Sequence, residues 1–190
     1  SWYAEHGITL HLGKAVSKID RVQRRVIAED GTEAPYDRLL LATGSNPFIL
    51  PIPGNDLPGV ISYRDIHDTD SMIDAAKRYR HAVVIGGGLL GLEAANGLKL
   101  RGMDVTVIHL ADWLLERQLD QTAGRMLQKS LEDRGLKFLL GRQTEMLIAG
   151  ESGRVAALRL KDGAQIPADR GVMAVAIRPN TTLAEAAGIH

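Results

Sequence analysis

The sequence has no cysteine in its 190 residues. Without thiols it cannot form disulfides, thiolate metal sites, iron-sulfur ligation or a thiol redox step. Its six histidines are scattered and show no helical metal-site spacing, so we predict no metal site. No serine or threonine lies in a nucleophile-elbow pattern, and we predict no catalytic side chain within these residues.

Excess charge of either sign and long apolar runs are also absent. Lys plus Arg and Asp plus Glu number 23 each, so no positive field would attract nucleic acid or anionic lipid. There is no run of eighteen apolar residues, which argues against a membrane-spanning helix and predicts a globular protein with no membrane partner. The chain opens on Ser1 rather than Met and shows no secretory signal, and we expect it to be part of a longer, cytoplasmic protein.

An internal repeat organises the chain. Residues 7–14 match residues 135–142 at an offset of 135 − 7 = 128, and residues 30–47 match residues 162–179 at an offset of 162 − 30 = 132. Each copy has the order strand, Asp-Gly turn, Pro, Asp-Arg, apolar run and Pro. We therefore predict two related domains, residues 1–64 and residues 65–190.

Each copy predicts the same three elements. In the first copy these are a strand over residues 8–12, an antiparallel ribbon that turns at Asp30-Gly31, and a closing strand over residues 39–42 that is buried on both faces. The second copy repeats them at residues 137–140, 162–163 and 172–177. Four prolines between residues 46 and 58 indicate a linker.

Two packing helices are predicted in the second domain. The first runs from Asp68 or Thr69 to Tyr79, and the second runs from Asp120 to Arg134 and stops at Gly135.

Residues 82–109 carry the strongest functional signal. A strand ending at Ile85 leads into Gly86-x-Gly88-x-x-Gly91, and a helix over residues 89–99 and a second strand over residues 105–108 follow. In such a βαβ unit the first glycine permits a tight turn, the second lets the backbone approach a pyrophosphate, and the third lets the helix lie close to the strand. The amide groups of Leu89 and Leu90 would meet the phosphates at the positive end of the helix dipole. The segment predicts binding of NADH or NADPH.

The residue that reads the adenine ribose is the weak point of this pattern. An Asp or Glu is expected about 20 residues after the glycines, where it accepts the 2′-hydroxyl proton. This sequence has His109 there, with Asp112 as a nearby alternative. A neutral His109 would accept from the hydroxyl, whereas a charged one would favour a 2′-phosphate. The absence of Arg from positions 109–116 favours NADH.

The sequence resembles the flavoprotein pyridine-nucleotide-disulfide oxidoreductases, which have one FAD-binding and one NAD(P)H-binding domain of the same type. The resemblance covers nearly the whole chain. It implies a Rossmann-like α/β fold, with a three-layer β/β/α NAD(P)H domain preceded by part of an FAD domain. It also implies that one segment closes over FAD in the intact parent protein, formed by Ala42, Thr43, Gly44 and Ser45.

Two more residues gain roles from this resemblance. Glu93, on the helix after the glycines, would lie near the nicotinamide ribose or a basic partner, or would be only an acid favoured by the helix dipole. Ala176 lies in the segment that closes the NAD(P)H domain, where the family usually has glycine close to the nicotinamide.

Within this family, residues 108–110 and 115–120 look most like the large subunit of assimilatory NAD(P)H nitrite reductases. That likeness implies electron flow from NAD(P)H to FAD and on to iron-sulfur and sirohaem centres outside this chain, in the remainder of the parent reductase. The alternatives are a ferredoxin or rubredoxin reductase, an NADH oxidase, or a nucleotide-binding module without turnover. We expect the isolated chain to be inactive by itself.

Overall fold

The computed structural model describes residues 1–189, which form two compact units. The first unit comprises Ser1–Ser45 and the segment from Pro179, and the second comprises Asn46–Arg178. Within residues 1–189 no helix has the length and apolar character needed to cross a membrane.

The second unit is built on a five-stranded sheet in which every pair of neighbours is parallel. In order across the sheet, its strands are β5 (Val60–Ser62), β12 (Arg170–Met173), β6 (His81–Ile85), β7 (Asp104–Ile108) and β8 (Lys137–Leu139). Both edge strands have three residues, and the longer strands lie inside.

Different layers cover the two faces of this sheet. One face packs against helices, which are α2 (Ile66–Ala76), α3 (Leu89–Leu100) and α4 (Gln121–Glu132). The other packs against an antiparallel ribbon, which consists of β9 (Thr144–Ala149), β10 (Val155–Leu160) and β11 (Gln165–Pro167). Side chains alternate along β6, so Ala82 and Val84 join the helix-side core while Val83 and Ile85 join the ribbon-side core. The predicted three-layer β/β/α arrangement is confirmed.

The first unit carries a three-stranded antiparallel sheet of its own. Its elements are α1 (Trp2–Glu5), β1 (Val16–Asp20), β2 (Arg25–Ala28), β3 (Glu33–Pro35) and α5 (Thr182–Ala186). The boundary positions between the units fall within two further short strands, β4 (Ser45–Pro47) and β13 (Ile177–Pro179).

The internal repeat is visible in the turns of the two ribbons. The Asp30 carboxylate accepts a hydrogen bond from the Thr32 backbone at 3.0 Å, and the Asp162 carboxylate accepts one from the Ala164 backbone at 3.0 Å. An Asp whose side chain bonds the backbone two residues on is a recurrent way to form a turn. Both predicted Asp-Gly turns are therefore present.

Two predicted strands of the first unit are not formed. Residues 8–12 and 39–42 have no strand conformation, and the side chains of Leu12 and Leu40 are 77% and 88% exposed. A strand buried on both faces needs neighbours that pair with its backbone and cover its side chains. No strand within residues 1–189 pairs with either segment, and their apolar pattern is left without a sheet to join.

The compact units have other bounds than the predicted domains, and the domain boundary at residue 64 stays a prediction. Residues 46–64 belong to the second unit because β5 pairs with β12, and the segment from Pro179 belongs to the first. The closing strand predicted over residues 172–177 is β12, which ends at Met173.

Helix α2 begins earlier than predicted because of a capping box. Asp65 is the N-cap, and its carboxylate accepts from the Asp68 backbone at 3.0 Å. The Asp68 carboxylate in turn accepts from the Asp65 backbone at 3.2 Å. Asp68, one of the two predicted start positions of the helix, is the reciprocal acid at its third residue.

Asp169 fixes the start of the central strand β6. One of its carboxylate oxygens accepts from the backbone N–H groups of His81 and Arg80, at 2.8 and 3.1 Å. Burial opposes ionisation of this carboxyl, but the hydrogen bonds from His81 and Arg80 outweigh it and lower the pKa of Asp169. The ionised carboxylate therefore stabilises the fold.

We expect Asp169→Asn to lower the free energy of unfolding by about 1 kcal/mol at pH 7, a modest loss because the side chain is partly exposed. A depressed folded-state pKa stabilises the fold above the unfolded pKa of about 3.9, and this contribution disappears as the pH falls through the folded-state value. Denaturant unfolding at several pH values measures the difference.

The matched control is Asp70→Asn, which removes the same charge from an exposed position of α2. It should leave stability nearly unchanged at every pH. An equal loss in both variants, or a difference that grows toward low pH, would contradict the assignment.

Candidate functional site

A cleft of about 570 Å³ opens in the second unit where strands of the parallel sheet end. Ile85, Ile108 and Met173, near or at the carboxyl ends of β6, β7 and β12, line it. Strand β7, which follows β6 in the chain, pairs on one side of β6, and β12 pairs on its other side. The chain connections at the ends of these strands therefore lead in different directions. Ligands of open α/β sheets bind at such a crevice.

The glycine-rich turn forms one wall of the cleft, and its glycines differ in what surrounds them. Gly86 has a φ of +121°, and a Cβ there would lie 2.3 Å from the Ala174 carbonyl oxygen. A Cβ on Gly91 would lie 1.9 Å from the Gly86 carbonyl oxygen. A Cβ on Gly88 would meet nothing within 4 Å. The first and third glycines are therefore required by the fold, whereas the second leaves open space beside the backbone.

The N-terminus of α3 faces this open space. Gly88 is the N-cap in an extended conformation, and no side chain caps the helix. Leu89 and Leu90, in the first turn, line the cleft. The first amide groups of a helix have no partner within it and carry the positive end of the dipole, so they suit phosphate oxygens.

His109 lines the cleft, as predicted, and groups of the protein hold its ring in place. The residue is 8% exposed, its Nδ1 accepts from the Gly87 backbone N–H at 3.1 Å, and its Nε2 lies 3.0 Å from a Glu116 carboxylate oxygen. An imidazole whose Nδ1 accepts must carry its proton on Nε2 when neutral, so Nε2 donates to Glu116. Both ring nitrogens are engaged within the protein, and neither is free for the ribose.

Glu116 is an acidic residue that lines the cleft and that the sequence did not predict there. Its loop folds back because Leu115 is buried in a left-handed conformation with φ +56°. The Leu115 backbone N–H donates to the Gly87 carbonyl at 3.2 Å. Sequence reasoning missed Glu116 because it lies seven positions beyond His109. Asp112, the alternative considered there, is exposed and not part of the cleft wall.

Further polar residues reach the cleft. Arg117, which precedes β8, lines it together with Arg142, Gln143 and Thr144 from beyond β8. Both arginines lie outside positions 109–116, where the absence of Arg favoured NADH. Arg142 forms an ion pair with Asp162. The Thr144 hydroxyl is buried and has no hydrogen-bond partner within residues 1–189. An unsatisfied buried hydroxyl in the wall and the open space at Gly88 both fit a polar ligand that has phosphates.

Glu93 and Ala176 lie in different places. Glu93 is exposed on α3 and lines a smaller cavity of about 110 Å³ together with Tyr63 and Met72. Glu93 is therefore not among the residues that line the large cleft, and its contact with the nicotinamide ribose stays a prediction. Ala176 lines the large cleft, and its carbonyl accepts from the Phe48 backbone at 2.9 Å.

The segment predicted to close over FAD belongs to the first unit. The Thr43 hydroxyl donates to the Asn180 carbonyl at 2.7 Å, and the Asn180 side-chain amide donates to the Thr43 carbonyl at 3.0 Å. Gly44 has a φ of +70°. Ala42 and Ser45 flank these two residues, and the role of all four toward FAD stays a prediction.

The chain is similar to known proteins over nearly all of its length. A family model described as pyridine nucleotide-disulphide oxidoreductase matches residues 3–190. The nitrite reductase [NAD(P)H] of Bacillus subtilis (strain 168) is 57% identical over 188 residues, which are 99% of this chain and 23% of that protein.

Solved structures are similar over nearly the whole chain. A ferredoxin reductase from Rhodopseudomonas palustris has a TM-score of 0.91 and 29% identity, covering 98% of this chain and 46% of that one. A water-forming NADH oxidase from Lactobacillus brevis, solved with NADH bound, has a TM-score of 0.82 and 26% identity, covering 96% of this chain and 41% of that one. This chain thus spans about a quarter of the nitrite reductase and less than half of the other two.

Proposed function

Since the chain belongs to the pyridine nucleotide-disulphide oxidoreductase family, we propose that its second unit binds NADH or NADPH as the electron donor of a larger flavin-dependent reductase. The observation that carries this proposal is the open space at Gly88, between the start of α3 and the cleft. Gly86, Gly88 and Gly91 with the amides of Leu89 and Leu90 would hold the pyrophosphate. A bound nicotinamide supplies a hydride for transfer to a flavin.

In the whole protein, we propose that electrons pass from NAD(P)H to FAD and then to nitrite-reducing centres. The 57% identity to a nitrite reductase [NAD(P)H] over 99% of this chain supports this path. Ala42, Thr43, Gly44 and Ser45 would close over FAD, and the sirohaem and iron-sulfur centres would lie outside this chain. The protein would act in the cytoplasm, where its reduced nicotinamide is produced.

The alternative is the same donor domain with another acceptor. Similarity to a ferredoxin reductase and to an NADH oxidase favours a ferredoxin or oxygen as that acceptor. The two cases would share the nucleotide site, and the acceptor would be chosen by parts of the whole protein outside this chain.

We expect the 190-residue chain to bind one NADH or NADPH per molecule. The cleft is of the size that small-molecule sites have, and its helix terminus is ready for phosphates. Titration calorimetry with each nucleotide measures the stoichiometry and the dissociation constant. The absence of binding for both nucleotides at millimolar concentration would refute the proposed function.

The acceptor is tested on the full-length protein that contains this chain. NADH oxidation is followed with nitrite, with an oxidised ferredoxin and with oxygen alone, each at the same enzyme concentration. Formation of ammonia from nitrite supports the nitrite path. Turnover only with ferredoxin or oxygen would transfer the assignment to the alternative.

A further inference from the structure

We propose that Glu116, positioned by His109, accepts the adenine ribose 2′-hydroxyl and thereby selects NADH over NADPH. This inference rests on the proposed function, because it assigns a specificity-determining residue to the same cleft. His109 acts through Glu116 and is a positioning residue.

The argument begins with the place of His109 in the fold. It follows β7 directly, where the fold expects the acid that holds the ribose. Its Nδ1 is already used by the Gly87 N–H, and its Nε2–H points to Glu116. An imidazole in this state has no acceptor left for a ribose hydroxyl. The acceptor must therefore come from another side chain.

Glu116 supplies that acceptor from a fixed position. Leu115 holds the backbone in place, because its N–H donates to Gly87 and its carbonyl accepts from the backbone of Gln118 and of Leu119, both at 2.8 Å. The carboxylate is tied to His109 through one oxygen, and within residues 1–189 its other oxygen has no hydrogen bond. A carboxylate held in this way accepts from a hydroxyl without the entropy cost of ordering a free side chain.

The charge of the pair decides between the two nucleotides. A neutral His109 beside an ionised Glu116 gives the site one negative charge, which attracts a hydroxyl donor and repels a 2′-phosphate. Two arginines in the same cleft oppose this effect. Arg142 is already paired with Asp162, and Arg117 is exposed with no partner within residues 1–189. The carboxylate anchored by His109 outweighs them, because Asp162 already neutralises Arg142 and because Arg117, with no partner among the described residues to order it, gains little net energy from an ion pair.

The test measures dissociation constants of NADH and NADPH for the wild-type chain and for Glu116→Gln by titration calorimetry at pH 8. We expect the wild type to prefer NADH. Glu116→Gln should lower the NADPH-to-NADH ratio of dissociation constants about tenfold or more, because it replaces a charge-assisted hydrogen bond and removes the repulsion. Glu151→Gln, which removes the same charge from an exposed turn, should leave the ratio unchanged.

His109 is tested in the same assay. His109→Asn keeps an acceptor for Gly87 but has no donor that reaches Glu116, so the NADPH-to-NADH ratio of dissociation constants should fall. His109→Gln keeps the donor, and its ratio should be close to that of the wild type. In a Glu116→Gln background, His109→Asn should have no further effect on the ratio. Thermal unfolding of each variant establishes that it is folded.

The outcomes separate this inference from the proposed function. If both nucleotides bind and Glu116→Gln leaves their ratio unchanged, the inference is wrong and the proposed function stands. If Arg142→Gln or Arg117→Gln moves the ratio more than Glu116→Gln does, an arginine reads the ribose and the inference is also wrong. If the wild-type chain binds neither nucleotide, both proposals fail.

Discussion

Gly88→Val is expected to weaken the binding of NADH and NADPH at least about a hundredfold while the chain stays folded. A Cβ at position 88 meets no protein atom within 4 Å, and the backbone there is extended, which valine adopts readily. The branched side chain would fill the space proposed for the pyrophosphate. The loss of two charge-assisted bonds to backbone amides corresponds to a factor of this size.

The matched control is Gly97→Val in the same helix. A Cβ at position 97 also meets no atom within 4 Å, but Gly97 does not line the large cleft. It should bind both nucleotides as the wild type does. Calorimetric titrations and thermal unfolding of the two variants give the comparison, and normal binding by Gly88→Val would move the phosphate site away from α3.

Gly91→Ala is expected to affect stability instead of the nucleotide contact, and to lower the free energy of unfolding by about 3 kcal/mol. Its Cβ would lie 1.9 Å from the Gly86 carbonyl oxygen, which is a backbone atom that cannot move without moving the turn. Helix α3 would have to shift from β6, and its buried Leu92, Ala95 and Leu98 would lose their packing. Denaturant unfolding measures the change.

Gly97→Ala is the control for this second prediction. It lies six residues farther along α3, where a methyl group meets open space. It should stabilise the chain by up to about 1 kcal/mol, because alanine favours a helix more than glycine does. Two identical substitutions in one helix therefore have opposite signs. Equal stability of Gly91→Ala and the wild type would contradict the close contact between α3 and the turn at Gly86.

The βαβ unit could be predicted from the sequence because its signal is local. Strand, Gly86, Gly88, Gly91 and helix follow one another without interruption, and each step depends only on neighbours in the chain. The same holds for the Asp-Gly turns, where Asp30 and Asp162 bond the backbone two residues away. The family membership inferred from these features is confirmed.

Glu116 could not be predicted, since no local signal leads to it. It reaches the cleft because Leu115 takes a left-handed conformation, which is unfavourable for a leucine and has no sequence signature. Arg142 and Thr144 line the cleft because β8 pairs with β7, which places the residues after β8 near the end of β7. The glycine motif and the residues directly after β7 give no signal for them.

The two copies of the repeat show why an apolar run alone does not make a strand. Residues 39–42 and 171–174 occupy equivalent positions, since 171 − 39 = 132, and both follow Asp-Arg. Most of the second run is part of β12, which pairs with β5 and β6. The first run pairs with no strand within the described residues. Strand formation depends on partners that are distant in sequence, which a pattern does not reveal.

The position of β12 between β5 and β6 determines when the nucleotide site can assemble. Strands β6, β7 and β8 are joined by short crossovers and can pair early, but β12 must insert beside β5, a strand more than 100 residues earlier in the chain. Pairings of such long sequence separation form slowly, because the intervening chain must first be ordered. Ala174 and Ala176, which follow β12, wall the cleft. Competence to bind the nucleotide should therefore appear late in the folding of these residues, and during synthesis only after β12 has left the ribosome.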